Sequence, residues 1–151
     1  MIKVNVEVNH KPWNKKIKNP KKYFYQKLKK FPKIIKFFNK KNIIFTILLT
    51  NSLSVKKLNK KFRKKNKPTD VLSFPYFSHK TLNLLKLKKI YIGDIAISYE
   101  AIYSRSTKKN FLVEFDKVWV HGLLHLVGYN HIKNKDYFKM KKFEKKILDS
   151  I

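Results

Sequence analysis

Eleven residues, HGLLHLVGYNH from His121 to His131, constrain this chain more than any other stretch. They hold three of its five histidines, at relative positions 0, 4 and 10, and two of its three glycines, Gly122 and Gly128. Average usage of about 7% would give a chain of this length roughly ten glycines, so the few present are expected where a side chain does not fit. On an α-helix, residues four apart share a face, one turn above the other, so His121 and His125 offer two imidazoles to one ion. Gly128 is placed to end that helix in a left-handed conformation, which lets the chain turn back and His131 approach from the side. Three neutral imidazoles leave a tetrahedral Zn²⁺ with one open position, the arrangement of a catalytic site rather than a closed structural one.

The spacing departs at one place from the signature of the metzincin proteases, which carry Glu directly after the first histidine as general base. Gly122 stands there instead, so the stretch reads as a metal site without the peptidase base. With no cysteine, disulfides and thiolate ligands are excluded, and any metal must be held by His, Asp or Glu. The first ten residues, MIKVNVEVNH, lack the apolar core of a signal peptide. No apolar run approaches the ~18 residues of a membrane span. A soluble cytoplasmic protein is expected. At 151 residues and 43% hydrophobic content, one domain over residues 1–151 is expected, large enough for a real core.

The formal charge of +28, from 37 basic residues against nine acidic, suggests a polyanionic partner, nucleic acid first. Almost all of the basic residues are lysine; Arg63 and Arg105 are the only arginines. Lys, Asn, Ile, Phe and Tyr are abundant together, as AT-rich coding produces, so part of the charge is compositional. One stretch is denser: KKLNKKFRKKNK, Lys56 to Lys67, has eight basic residues in twelve. It reads equally as a solvated helix face or as a phosphate-binding surface.

Taken in order, alternating Ile2, Val4, Val6 and Val8 predict a strand with one buried face. Pro12 and Pro20 bracket a loop, and Pro20 opens a helix to Phe31 with Tyr23, Phe24, Leu28 and Phe31 on its apolar side. Pro32 interrupts it, and Ile34 to Phe38 is a candidate further turn. Asn42 to Thr50 is apolar on both faces, as a central strand is. Asn51 or Ser52 caps a helix carrying Val55, Leu58 and Phe62, stopped by Pro68, with Arg63 near its end. Thr69 to Phe77 predicts a strand, at an edge because of Pro75. Residues 78–89 read as an exposed loop. Tyr91 to Ser98 predicts a strand in which Gly93 marks a bulge or a close approach of backbone to ligand. A short helix from Tyr99 to about Thr107 follows. Asn110 caps the histidine-bearing helix, with Glu114 and Asp116 near its positive end. Its apolar residues point nearly all round, so it is expected to be buried. Asp136 caps a last helix containing Phe138, Met140, Phe143 and Ile147. The sum is an α+β fold, with α/β-like character: a small mixed four-stranded sheet, about five helices on it, and one buried central helix carrying the metal ligands.

Three segments in this order resemble the YbeY family, bacterial endoribonucleases of ribosomal RNA maturation. HGLLHLVGYNH is similar to its HGxLHLxGYDH signature, PTDVLSFP to its segment of that sequence, and IGDIAIS to its LGDIxIS segment. Leu58-Asn59 with Phe62-Arg63 resembles its LNxxYR helix end. The likeness runs from about residue 43 to 131. It implies a zinc-dependent, single-strand-specific endoribonuclease acting on the 3′ end of small-subunit ribosomal RNA and in ribosome quality control. It further implies one Zn²⁺ per chain on His121, His125 and His131, with Arg63 in activity or RNA binding. Ribosome-associated proteins and the small ribosomal subunit are the implied partners; a monomer away from membranes is expected. Arg63 suits a bidentate phosphate clamp, which lysine performs poorly. Asn130 stands where the family has Asp, which removes a charge beside the ligands while keeping the shape and an acceptor. Asp70 and Asp94 are candidates for orienting a ligand histidine or capping a helix; His10 and His79 are assigned no role. The alternatives are a zinc-stabilised RNA-binding assembly factor without catalysis and, further off, a metallopeptidase, against which Gly122 argues.

Overall fold

The structure, a computed structural model, describes residues 1–31, 38 and 42–151, and at Asn83 and Lys108 the backbone alone. In order come β1 (Ile2–Val8), α1 (Pro12–Lys16), α2 (Pro20–Leu28), β2 (Asn42–Thr50), α3 (Ser52–Arg63), β3 (Val71–Pro75), α4 (His79–Leu84), β4 (Lys89–Ser98), α5 (Tyr99–Arg105), a 3-10 turn (Ser106–Lys108), α6 (Phe111–Leu126) and α7 (Asn134–Leu148). Four strands form one mixed sheet in the order β1-β2-β4-β3, with β1, β2 and β4 parallel and β3 antiparallel to β4. This is the expected α+β fold. The described residues hold seven α-helices against the five or so expected, and α1 and α4 lie where the sequence predicts loops. The turn expected at Ile34 to Phe38 lies, Phe38 apart, outside the described residues.

The sheet has two unequal faces. Ile43, Phe45, Ile47 and Leu49 of β2 point into the main core, with Trp119, Leu123 and Leu126 of α6. Ala96 and Leu72 point the other way, against Val55 of α3. Side chains alternate along a strand, so one face should take every second residue. In β4 that rule breaks: Ile90 and Ile92 are buried in the main core, and so are Ile95 and Ile97. The register explains it. Ile44 pairs with Tyr91 but Thr46 with Asp94, so β4 carries one extra residue at a bulge. Gly93 sits there with φ +134°, and a Cβ would lie 2.1 Å from the Phe74 carbonyl oxygen. The close approach expected at Gly93 is to the neighbouring strand, not to a ligand.

Local chemistry corrects four boundaries. Trp13 of α1 is fully buried and its indole N–H donates to the Thr50 carbonyl at 2.9 Å, which pins a helical turn where a loop was expected. Residues His79–Leu84 form α4 because the Ser78 hydroxyl accepts from the Thr81 N–H and Leu82 enters the core. α3 ends not at Pro68 but at Lys64, whose left-handed φ of 58° lets its N–H return to Asn59. Lys133, not Asp136, precedes α7, and Asp136 lies inside its first turn. The buried stripe of α7 is Met140, Glu144 and Ile147; Phe138 points to solvent. Asn51 and Asn110 cap α3 and α6 as expected.

α6 is buried on most sides, and Asp116 with it. Three donors hold that carboxylate: Tyr23 Oη at 2.6 Å, Lys27 Nζ at 2.6 Å and Trp119 Nε1 at 2.8 Å. It therefore ties α2 to α6 rather than serving the helix dipole. No helix among the described residues is long and apolar enough to cross a membrane.

Candidate metal centre

α6 carries His121 and His125 one turn apart near its C-terminal end. The helix closes at Val127, and Gly128 follows at φ +94°. Its N–H returns to the His125 carbonyl at 3.0 Å and that of Tyr129 to Leu124 at 3.0 Å. A Cβ on Gly128 would lie 2.2 Å from the His79 ring, so the turn needs glycine for its φ and for the packing. The Asn130 Oδ1 then accepts from the Ile132 N–H at 3.3 Å, bracing the turn that delivers His131.

The three imidazoles meet. Ligand-competent atoms of His121, His125 and His131 all lie within 4.8 Å of one another. His121 Nδ1 is 2.5 Å from Glu144 Oε1, and His125 Nδ1 is 2.9 Å from the Tyr129 carbonyl oxygen. A carbonyl and a carboxylate only accept, so both Nδ1 atoms carry the proton. The two Nε2 atoms face each other at 2.9 Å. Where both rings are neutral these are two lone-pair acceptors, and a shared proton or a shared cation relieves their repulsion. Burial holds the His125 imidazole down to about 4, with the neighbouring His121 adding to the effect, so this ring is neutral near pH 7 and free to ligate. The donor set of three nitrogens without sulfur suits zinc. His131, the exposed member of the three, would supply the third ligand.

Glu144 was not among the residues the sequence singled out. It lies on the buried stripe of α7, one turn after Met140, and that position of an acid on an apolar stripe was the available signal. Burial works against its charge, but hydrogen bonds from His121 and Lys141 outweigh it and hold the carboxyl below its usual range. Asp70 and Asp94, the candidates for this role, bond none of His121, His125 and His131 among the described residues. Asp70 takes Arg105 Nη1 at 2.7 Å and the Val71 N–H at 2.9 Å. Asp94 accepts from the Tyr91 hydroxyl. Of the unassigned histidines, His10 meets Glu100 at 3.3 Å and His79 packs under Gly128.

A cavity of about 490 Å³ opens over the three histidines and includes Arg63, Ser73 and Asn130 in its wall. Arg63 reaches it from the end of α3 because its Nη2 donates to the Ser73 carbonyl of β3 at 2.9 Å. The other side of Ser73 seats α6: its hydroxyl donates to the Gly122 carbonyl at 3.0 Å. A Cβ on Gly122 would meet Ile95 at 3.0 Å and Ser73 at 3.1 Å. The position after the first histidine therefore faces the sheet, where even a methyl group would require Ile95, Ser73 and Val71 to give by a few tenths of an ångström.

These features define a class: an α+β domain that presents a three-histidine metal cradle from one buried helix and the turn after it. Comparison of the whole chain narrows the class. A family profile described as Endoribonuclease YbeY matches residues 6–151. The Endoribonuclease YbeY of Pelagibacter ubique (strain HTCC1062) is 50% identical over 148 residues, covering 95% of this chain and 92% of that protein. The Endoribonuclease YbeY of Ehrlichia canis (strain Jake) is 35% identical over 153 residues, covering 100% of this chain and 93% of the other. A solution structure from Thermotoga maritima shares the fold, with a TM-score of 0.54 at 24% identity over 99% of this chain and 90% of its own. The chain belongs to the YbeY family of endoribonucleases.

Proposed function

We propose that this protein is a zinc-dependent endoribonuclease that cuts single-stranded ribosomal RNA, at the 3′ end of the small-subunit molecule and in ribosome quality control. It would act as a cytoplasmic monomer on the small ribosomal subunit with ribosome-associated proteins. Family membership supports the nuclease activity. The observation that carries the metal is the convergence of the His121, His125 and His131 ligand atoms within 4.8 Å of one another, with two of the rings fixed by a partner on Nδ1.

In this reading His121, His125 and His131 hold one zinc ion. When bound, the ion supplies Lewis acidity toward water and toward a phosphoryl oxygen. The Glu144 carboxylate and the Tyr129 carbonyl fix the orientation and tautomer of two ligand rings. Arg63 clamps a phosphate: the Ser73 carbonyl occupies one of its five N–H groups and steadies the guanidinium, and the others remain for phosphate oxygens. Asn130, in the cavity wall, keeps the turn that presents His131 but brings no charge.

Purified protein is expected to cleave a small-subunit ribosomal RNA precursor, to lose that activity with a chelator and to regain it with zinc. Arg63→Ala should reduce cleavage while elemental analysis still finds about one zinc per chain. Binding of the precursor without cleavage would leave an RNA-binding assembly factor and end the nuclease reading.

A further inference from the structure

On the sheet face opposite the histidines, α3 leaves part of the surface bare. Val55 meets Leu72 and Ala96, while Leu48, Leu58 and Phe74 beside them are only partly buried. A groove of about 520 Å³ lies there, within the ~300–1,000 Å³ range of small-molecule sites. Phe62, on the last turn of α3, forms one wall at 59% exposure, its ring edge-on to Phe74 at 5.4 Å between centroids. Isolated exposed aromatics are ordinary, but this one lines a groove with a second ring. The rest of the lining includes Thr46, Glu7 and Asp94. The Tyr91 hydroxyl donates to Asp94 and lies 2.9 Å from that of Thr46. The groove thus offers apolar walls to a flat ring and carboxylate acceptors to its edge.

Charge selects the occupant. Lys61 Nζ lies 5.2 Å from the centroid of the Phe62 ring at the groove wall, and Lys60, Lys64 and Lys65 are its neighbours in sequence. These cations attract phosphates and disfavour a basic protein segment that would otherwise suit Glu7 and Asp94. An unpaired nucleobase is neutral and planar, and its strand leaves the phosphates to the lysines. Adjacent residues divide the work: Arg63 lines the histidine cavity and Phe62 the groove, with β3 between the two. Guanine presents two adjacent donors, N1–H and the 2-amino group, to one carboxylate. Uracil presents one N–H between two carbonyls, which a carboxylate repels. We propose that this groove is a base-binding subsite of the RNA substrate and takes an unpaired guanine. The lysine-rich stretch of α3 is then a phosphate surface rather than a merely solvated face.

The inference rests on RNA being the substrate, but it is read by binding, so it and the cleavage reading can fail separately. Fluorescence anisotropy of the zinc-loaded protein with a short labelled oligouridine is compared with versions carrying one guanosine at each position in turn. Guanosine at one position should tighten binding about tenfold. Asp94→Asn should remove that preference, with oligouridine bound as well as before or more tightly. Phe62→Ala, at an exposed residue, should weaken both RNAs about tenfold with zinc content unchanged. A 6-thioguanosine at the preferred position should photocrosslink to the groove and not to the Phe62→Ala protein. Guanosine no better than uridine at every position, or a preference that survives Asp94→Asn, overturns the proposal. So does a basic peptide that fills the groove in an Asp94-dependent way without displacing RNA. RNA left uncut but bound with the guanosine preference would retire the nuclease reading and keep this one.

Discussion

The Glu144 side chain meets His121 at 2.5 Å from a helix that contributes no ligand of its own. Glu144→Gln keeps its size and an acceptor but removes the charge that raises the basicity of the ring. Metal affinity should fall about 10–100-fold, measured by competition with a chromophoric chelator. An unchanged affinity would reduce Glu144 to a packing group. Gly128→Ala probes the turn instead. The left-handed φ of +94° and the His79 ring 2.2 Å from the new methyl should cost about 1–3 kcal/mol in urea unfolding. The histidine spacing, the helix-ending Gly128 and the Asn110 cap were legible because each follows from geometry over a few residues. Glu144 was not, because its partner lies 23 positions away and no local rule links them.

Among the elements, α7 matters for where it holds an acid. Its buried stripe of Met140, Glu144 and Ile147 packs it against α6. Ile147→Ala leaves the histidines untouched but opens a void beneath α7. Stability should drop by about 2–5 kcal/mol and zinc affinity should fall with it. Retained affinity in a folded Ile147→Ala protein would show that α7 is dispensable to the site. β1 and β2 were legible to the residue, but β3 is shorter, Val71–Pro75, than the expected Thr69 to Phe77, and β4 starts two residues before Tyr91, at Lys89. The short helices α1 and α4 were not legible. What makes them helical is a buried Trp13 reaching the Thr50 carbonyl and a Leu82 inserted in the core, both tertiary contacts that propensity does not register. The bulge at Gly93 was one of two readings open in the sequence; pairing with β2 and β3 chose it.

For the molecule as a whole, the charge of +28 and the proposed zinc site make predictions about solution conditions. A folded state that alone binds zinc gains about 2.7 kcal/mol at a free concentration a hundredfold above Kd. Chelation should therefore lower Tm by about 5 °C or more, and zinc should restore it. A Tm indifferent to chelator would mean that the three rings hold no ion in solution. RNA affinity should fall linearly in log–log form with salt, by about 0.7 per neutralised phosphate for a single strand. That slope counts the cations that work, which separates functional charge from compositional lysine.

Spacing along the chain was enough to determine that two imidazoles share a helix face, that a third follows a glycine turn, and where four strands lie. These are short-range consequences of backbone geometry, and the 3.6- and 2-residue periods carry them. Folding in three dimensions decided which acid orients His121, that a side chain at Gly122 would be crowded, and that Phe62 and Arg63 face different cavities. Each of those depends on surfaces brought together from distant segments, where packing and the cost of burying charge choose the partner.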